Sequence, residues 1–224
     1  MVKIKIDKIV RSKRKTLALE ISRDASLIVR APKKTPLEYI EKIIQKKRFW
    51  IQRKQKTAYS KYRSFIPKEF VNGEGFLFLG DSYRLSIEDI EQPPLTLDKE
   101  FRLSRKYLSE GRRVFIEWYR KEAYKKIEER LNWYSYLSGL KCSRFNITNA
   151  QKRWGSCNAK GNLCFSWRLI MAPLRVLDYV VVHELAHLEE RNHSIKFWSK
   201  VKIIMPDYEK YNYWLRDNEY LLAV

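Results

Sequence analysis

The three histidines of this 224-residue chain all lie within eleven residues, at positions 183, 187 and 193. Two of them belong to His183-Glu-Leu-Ala-His187, inside the stretch 174–190, whose apolar residues recur at helical spacing. Four residues of α-helix turn through about 400°, so the two imidazoles lie one turn apart on one face. The stretch is therefore expected to fold as a helix that directs two metal-binding side chains to one point.

This histidine spacing, with a glutamate directly after the first histidine, is typical of a catalytic zinc site. Zinc binds imidazole nitrogen, and a catalytic site uses three protein ligands and leaves a fourth position for water. Glu184 is predicted to accept a proton from that water as the general base. The pattern predicts a hydrolase with one Zn²⁺ ion, while imidazole ligands also suit other divalent metals.

His193 is the predicted third ligand. It follows His187 by six residues, which is the spacing of the HExxHxxGxxH zincins. The chain has Glu190 where those proteins have glycine, so the turn is expected to differ. Glu189, Glu190 or Glu209 is the alternative, in a site of two histidines and one carboxylate.

Three further residues are candidates for substrate binding. Arg153, or its neighbour Lys152, can pair with a carboxylate or a phosphate. Trp154 belongs to the same turn-rich stretch, for which the alternative is a structural turn with the tryptophan in the core. Tyr208 can donate its phenol to a developing oxyanion. Packing is the alternative for Tyr208, because the chain contains 14 tyrosines.

The positive charge of the chain is concentrated near its N-terminus. Residues 1–65 contain 20 Lys/Arg against 5 Asp/Glu and so carry +15 of the net charge of +20. Such an excess attracts nucleic acid, nucleotides or acidic surfaces. Nucleic acid is therefore a possible partner through residues 1–65, and a solubilising face is the alternative.

The periodicity along the chain predicts an α+β protein. In the first part, strands at 15–22 and 26–32 form a hairpin with its turn around Arg23 and Asp24, one amphipathic helix covers 35–58, and a second strand pair covers 70–79 and 83–87. The double proline of Glu91-Gln-Pro-Pro94 then marks a boundary. The prediction is a basic, β-rich N-terminal α+β module at 1–95 and a zincin-like metallohydrolase domain at 96–224.

The second domain is predicted to be mainly helical with a small sheet. A long helix covers 104–137 and stops at Gly139, two strands cover 144–149 and 162–170, and the region from Pro173 onward is helical. Ser194 is a predicted N-cap, and Pro206 closes the helix that follows it.

The predicted location is the cytoplasm, without membrane attachment. Three cysteines without a CxxC pair do not suggest a disulfide framework and fit a reducing compartment. The first residues alternate charged and apolar side chains, unlike a signal peptide. No apolar run approaches the roughly 20 residues of a membrane span.

Several motifs together resemble the YgjP-like metallopeptidase-domain family, relatives of the SprT-like zincins. In the second half these motifs are His183-Glu-Leu-Ala-His187, Asn192-His193-Ser194, Phe197-Trp198, Met205-Pro-Asp-Tyr208, Arg153-Trp-Gly-Ser-Cys157 and Asp178-Tyr179. In the first half they are Arg14-Lys15-Thr16, Val29-Arg-Ala-Pro32, Trp50-Ile51 and Gly80-Asp-Ser-Tyr83. The resemblance implies that the three histidines bind zinc and that Glu184 is catalytic.

Three functions are compatible with this pattern. The leading one is a zinc metallopeptidase with a peptide substrate. The second is a metal-dependent phosphohydrolase of the nucleotide pyrophosphatase type, acting on a phosphorylated small molecule held by the basic module. The sequence contains no Walker-type phosphate loop and no carboxylate cluster for two magnesium ions, which argues against this second function. The third is a nucleic-acid-binding module with a structural zinc. Glu184 would have no function in such a module, which argues against it.

Overall fold

A computed structural model describes residues 4–22, 24–63, 68–151, 153–222 and 224, with the backbone alone over 60–63. The chain divides into two compact units, Met1–Pro67 and Lys68–Val224. This division differs from the predicted modules 1–95 and 96–224. The predicted boundary falls at the start of a strand that pairs within the second unit. Strands before and after the double proline pair with each other, so the segments on both sides of it belong to one unit.

The first unit contains one three-stranded sheet. Its strands are β1 (Lys8–Ser12), β2 (Ala18–Ile21) and β3 (Leu27–Pro32), in the order β1-β3-β2. β2 and β3 pair antiparallel, as the predicted hairpin requires. β1 pairs with β3 in parallel and was missed in the sequence, where its apolar residues are interrupted by charge. Arg23, in the predicted turn, lies outside the described residues.

The predicted single helix of this unit is two helices. They are α1 (Leu37–Lys46) and α2 (Arg48–Arg63), separated at Lys47, whose φ of −102° and ψ of 12° leave the helical range. Both helices bury a narrow apolar stripe. Together with the sheet they form a small core of Leu27, Val29, Ala31, Ile40, Ile44 and Ile51.

The second unit begins with a four-stranded sheet. Its strands are β4 (Gly75–Phe78), β5 (Asp81–Glu88), β6 (Leu95–Leu97) and β7 (Phe101–Ser104), in the order β4-β5-β7-β6. β5 pairs in parallel with β7 across the Gln92–Pro93–Pro94 segment. This pairing places β4 and β5 in the second unit.

A long helix, α3 (Gly111–Ser138), spans the second unit after a short 3-10 turn at Arg105–Glu110. Its buried side chains recur every three or four residues and include Phe115, Tyr119, Ala123, Ile127, Leu131 and Tyr134. The helix ends where predicted, at Gly139, whose φ of 73° suits glycine and whose N–H donates to Ser135 O.

The remaining elements form a small sheet and three helices. The sheet contains β8 (Arg144–Thr148), β9 (Gly155–Cys157) and β10 (Asn162–Ser166), in the order β8-β10-β9. The helices are α4 (Leu174–Ala186), α5 (Ile195–Ile204) and α6 (Tyr208–Asn218). Strands concentrate in the first half and helices follow, so the predicted α+β class is confirmed.

Within the part of the chain that is described, every helix is too short or too polar to cross a membrane.

Candidate metal centre

The helix α4 is held in place at its beginning by a close backbone contact. Pro173 precedes its first turn and lies against Gly80, where an added β-carbon would stand 2.9 Å from Pro173 Cα. Leu79 N–H and Gly80 N–H donate to the carbonyls of Ile170 and Met171, at 2.8 and 3.2 Å. The β4–β5 turn thereby fixes the point from which α4 starts.

A buried ion pair joins α4 to α3. Asp178 is fully buried, and its two carboxylate oxygens accept from Arg130 Nε at 2.6 Å and Arg130 Nη2 at 3.2 Å. This two-point geometry fixes direction as well as distance. The next residues along α4 are Tyr179 and, one turn later, His183, so the pair sets the rotation of the helix that carries the site.

The three histidines meet at one point. His183 lies in the last turn of α4, His187 caps its C-terminus, and His193 lies in the connection to α5. The Nε2 atom of His193 lies 2.9 Å from that of His183 and 3.1 Å from that of His187. Among the described residues, the three histidines form the only cluster of three or more His, Cys, Asp or Glu ligand atoms able to hold a metal ion.

The hydrogen bonds of these rings leave nitrogen lone pairs for a ligand. His187 Nδ1 lies 2.9 Å from the carbonyl oxygen of Glu190. Because a carbonyl only accepts, Nδ1 carries the proton and Nε2 of the neutral ring has a free lone pair. Burial and the neighbouring histidines lower the pKa of His183 to about 3, so the His183 ring is neutral at physiological pH.

Phe197 and Trp198 of α5 form the wall behind the histidines. The buried Phe197 ring has its centroid 4.5 to 4.9 Å from the centroids of all three imidazoles. The Trp198 ring stacks on His193 at 5.6 Å. Ser194 caps α5 as predicted, accepting from Phe197 N–H at 3.3 Å. The cap and the rings restrict the orientation of His193, which is otherwise exposed.

Glu184 is buried beside this cluster with an oxygen that lacks a partner. The residue is 4% exposed, and its Oε2 has no hydrogen-bond partner within the described residues. Burial raises the pKa of Glu184 to about 8, against the opposing effect of Arg153. A cation among the histidines would favour the ionised carboxylate.

Gly155 in β9 makes room for this carboxylate. A β-carbon at residue 155 would lie 2.5 Å from Glu184 Cγ and 2.7 Å from its Cδ, distances that side chains do not adopt. Gly155 was missed as a functional residue in the sequence, because its partner lies 29 positions further along the chain. Only its place in the Arg153-Trp-Gly-Ser-Cys157 motif pointed to it.

The residues present fit a divalent transition metal. Two ligands at about 2.0–2.1 Å from a tetrahedral ion lie about 3.3 Å apart, close to the observed Nε2 separations. Neutral imidazoles are the form that binds metal. His183, His187 and His193 are the residues that could hold it.

The carboxylates considered as alternative ligands are outside this cluster. Glu189 forms an ion pair with Lys200 of α5. Glu190 contributes its main-chain carbonyl to His187, and not its side chain. Glu209 lies in the first turn of α6. The sequence left the third ligand open between these residues and His193, and the geometry brings only His193 to the other two histidines.

The predicted substrate-binding residues lie around the same site. Arg153 is exposed and acts electrostatically on Glu184, while Trp154 lines a cavity together with His183 and Glu184. Tyr208 stacks between Trp198, at 5.2 Å, and Tyr179, at 6.4 Å. Lys152 lies outside the described residues.

The site thus consists of a buried glutamate beside three histidines whose side-chain nitrogens converge. A family model described as YgjP-like, metallopeptidase domain, matches residues 15–218. The chain therefore belongs to the YgjP-like metallopeptidase-domain family. The match covers nearly the whole length of the chain and confirms the resemblance seen in the motifs. A metallopeptidase domain implies a hydrolase with a metal cofactor and a peptide substrate. No curated protein and no solved structure matched the chain.

Proposed function

We propose that the protein is a zinc-dependent metallopeptidase in which His183, His187 and His193 hold one zinc ion and Glu184 is the general base. The observation that carries the proposal is the convergence of the three Nε2 atoms, two pairs of which lie 2.9 and 3.1 Å apart. Membership of the metallopeptidase-domain family supports it.

The chemistry divides between the ion and the chain. When bound, zinc supplies a Lewis acid that acidifies a water molecule and polarises the substrate carbonyl. Glu184 takes the proton of the attacking water on its unpartnered Oε2 and returns it to the leaving amine. The carboxylate is buried, so bulk water does not compete for this proton transfer.

The free edge of β9 supports a peptide substrate. Asn158 N–H donates to Asn162 O, and Trp154 O accepts from Ser166 N–H, so these residues and Ser156 face β10. In an antiparallel pair the intervening residues, Gly155 and Cys157, direct their N–H and C=O groups to the other side. Among the described strands none pairs with that side. An extended peptide can add there, beside Glu184.

Three residues complete the proposed substrate site. Arg153 pairs with an anionic group of the substrate at the exposed end of β9, and Trp154 packs against the bound chain. Tyr208 donates its phenol to the oxyanion that forms at the carbonyl carbon. Its stacking between Trp198 and Tyr179 supplies the rigidity that this function needs.

The test is hydrolysis by wild-type protein and Glu184→Gln at equal zinc content. The substrates are an unfolded protein, a peptide library and nucleoside triphosphates. Glu184→Gln is expected to retain zinc and lose about 100-fold or more in kcat on peptides. Glu128→Gln, an exposed carboxylate on α3, is the matched control and is expected to behave as wild type.

The same assay distinguishes the peptidase from the phosphohydrolase alternative. Hydrolysis of nucleoside triphosphates without hydrolysis of peptides would replace the peptidase proposal with that alternative. If Glu184→Gln hydrolysed every substrate as fast as wild type, the proposed base would be wrong.

A second function, nucleic-acid binding by the first unit, is favoured by the surface of α2. Residues 48–63 contain six Lys/Arg and no Asp/Glu. Phe49 is 74% exposed and Trp50 is 37% exposed on this helix, and the Arg48 guanidinium lies 4.6 Å above the Phe49 ring. Cations bind phosphates and exposed aromatic rings stack with bases, so this face fits a single strand.

The aromatic contribution to nucleic-acid binding can be tested without changing charge. Phe49→Ala with Trp50→Ala is expected to weaken binding of a single-stranded oligonucleotide about tenfold or more at physiological salt. Tyr136→Ala, at an 85% exposed position of the second unit, is the control. Equal affinity of the two variants would contradict a stacking site on α2.

A further inference from the structure

A cavity of about 240 Å³ opens beside the candidate catalytic residues. His183 and Glu184 of α4 line one side of it, and Trp154 lines a second. The third side comes from α6 and the turn that follows it. On this side Asn212, Leu215, Arg216 and Glu219 line the cavity, and none of them has a function in the proposed mechanism.

The size of the cavity suits one amino-acid side chain. Pockets for drug-sized ligands have volumes of about 300–1,000 Å³, and one water occupies about 30 Å³ of liquid. A volume of about 240 Å³ lies below that range and is sufficient for one amino-acid side chain. Val180 and Leu215 supply apolar surface for its methylene groups.

The polar groups of α6 are placed at this cavity. Asn212 and Arg216 are four residues apart, so they lie on one face of the helix, and both line the cavity wall. An amide and a guanidinium present N–H donors, and a guanidinium binds a carboxylate through two parallel bonds. Donors of this kind at the cavity wall can bind an anionic group.

The charge around the cavity also favours an anion. Two carboxylates, Glu184 and Glu219, line it, whereas Arg216 lines it and Arg153 acts on Glu184 from nearby. These four charges cancel. The divalent cation of the proposed centre then leaves the region positive, which attracts a negatively charged substrate group.

We propose that this cavity is the side-chain subsite of the peptidase and that Arg216 gives it a preference for a substrate residue with a carboxylate. The carboxylate belongs either to an acidic side chain or to the C-terminus of the peptide. This inference rests on the proposed peptidase function.

The first experiment measures cleavage preference with full-length, zinc-loaded protein and a peptide library. Peptides with blocked ends that differ only in Glu, Gln or Lys at one position report on an acidic side chain. The Gln peptide with a free C-terminus reports on the terminal carboxylate. Wild type is expected to favour one carboxylate-bearing series about ten- to hundredfold in kcat/KM over Lys.

Charge reversal at residue 216 tests the assignment directly. Arg216→Gln is expected to remove the preference, mainly through KM, and Arg216→Glu is expected to reverse it in favour of Lys. The quantity compared is the ratio of kcat/KM between the carboxylate-bearing and Lys peptides, each measured relative to the neutral Gln peptide of the same variant. Arg112→Glu, an exposed charge reversal on α3, is the control. An unchanged preference in Arg216→Glu would overturn the proposal.

The second experiment measures binding of the same peptides to zinc-loaded Glu184→Gln by calorimetry. It separates the subsite from the chemistry. A carboxylate preference in binding that disappears in Arg216→Gln supports the subsite even if no peptide bond is hydrolysed by any variant. Peptides that bind with equal affinity regardless of charge would overturn it, whatever the turnover.

Discussion

Gly155 and Glu184 are so close that a β-carbon at residue 155 would lie 2.5 Å from Glu184 Cγ and 2.7 Å from Glu184 Cδ. The glycine lies in the edge strand β9. The glutamate directly follows His183 in α4 and is one of the buried residues of that helix. A methyl group on residue 155 would require Glu184 to leave its rotamer. Gly155 is thus a positioning residue for the proposed base.

Gly155→Ala is expected to lower kcat for peptide hydrolysis about 100-fold while zinc content stays at one ion per chain. The reason is that the carboxylate moves and the histidines do not. In the Glu184→Gln background, the same change is expected to have little additional effect, because both act on one group. A full further 100-fold loss in the double variant would show that Gly155 acts in some other way.

The third ligand can be assigned by comparing His193→Ala with Glu189→Ala, Glu190→Ala and Glu209→Ala. His193→Ala is expected to weaken zinc binding by two orders of magnitude or more, and the three carboxylate variants are expected to bind zinc as wild type does. Competition with a chromogenic chelator gives the Kd. Loss of zinc in a carboxylate variant, with binding retained in His193→Ala, would support the two-histidine alternative.

Metal removal is expected to lower thermal stability. A ligand that binds only the folded state stabilises it by about 2.7 kcal/mol at a free concentration 100 times its Kd. Calorimetric scans with zinc and with a chelator are therefore expected to differ by several degrees in wild type. The difference should be small in His183→Ala, which lacks a proposed ligand, so an equal shift there would indicate zinc binding elsewhere.

The ion pair between Arg130 and Asp178 is expected to matter for stability. Asp178 is fully buried, so Asp178→Ala removes the buried partner of Arg130, leaves it only the exposed Glu129 as an ion-pair partner among the described residues, and should lower the free energy of unfolding by about 3 kcal/mol. The exposed pair of Arg113 with Glu117 is the control, and Glu117→Ala should cost less than about 1 kcal/mol. Denaturant unfolding measures both, and similar losses would contradict an anchoring function for Asp178.

Two glycines with positive φ separate backbone strain from packing. Gly80 has a φ of 95° and lies against Pro173, whereas Gly73 has a φ of 83° with nothing within 4 Å of an added β-carbon. Gly73→Ala should cost about 1 kcal/mol through strain alone. Gly80→Ala should cost clearly more, because α4 must shift at its start. Equal losses of unfolding free energy would show that the contact with Pro173 contributes nothing.

The local features of the fold were predictable from the sequence, and the long-range pairings were not. The stop of α3 at Gly139 and the Ser194 cap follow from residues that lie next to each other in the chain. The parallel pairing of β1 with β3 and of β5 with β7 depends on contacts between distant segments, for which periodicity contains no signal. The sequence likewise gives no sign of the helix break at Lys47, because the residues on both sides of it keep a helical pattern.

The residues of the candidate site also differ in whether the sequence alone could predict them. His183, Glu184 and His187 follow from helix geometry, and His193 follows from spacing. Gly155, Arg130 and Arg216 lie on other elements than the histidines, so only the folded arrangement reveals their places next to Glu184, Asp178 and the cavity. The predicted domain boundary was based on the double proline, whereas the pairing of β5 with β7 across it depends on contacts between distant segments.

Zinc K-edge X-ray absorption of the zinc-loaded protein measures whether the three histidines hold one zinc ion. We expect one ion per chain with three imidazole nitrogens at about 2.0–2.1 Å and no sulfur ligand, and the loss of one imidazole in His193→Ala. A thiolate contribution at about 2.3 Å, or an unchanged imidazole count in His193→Ala, would contradict it.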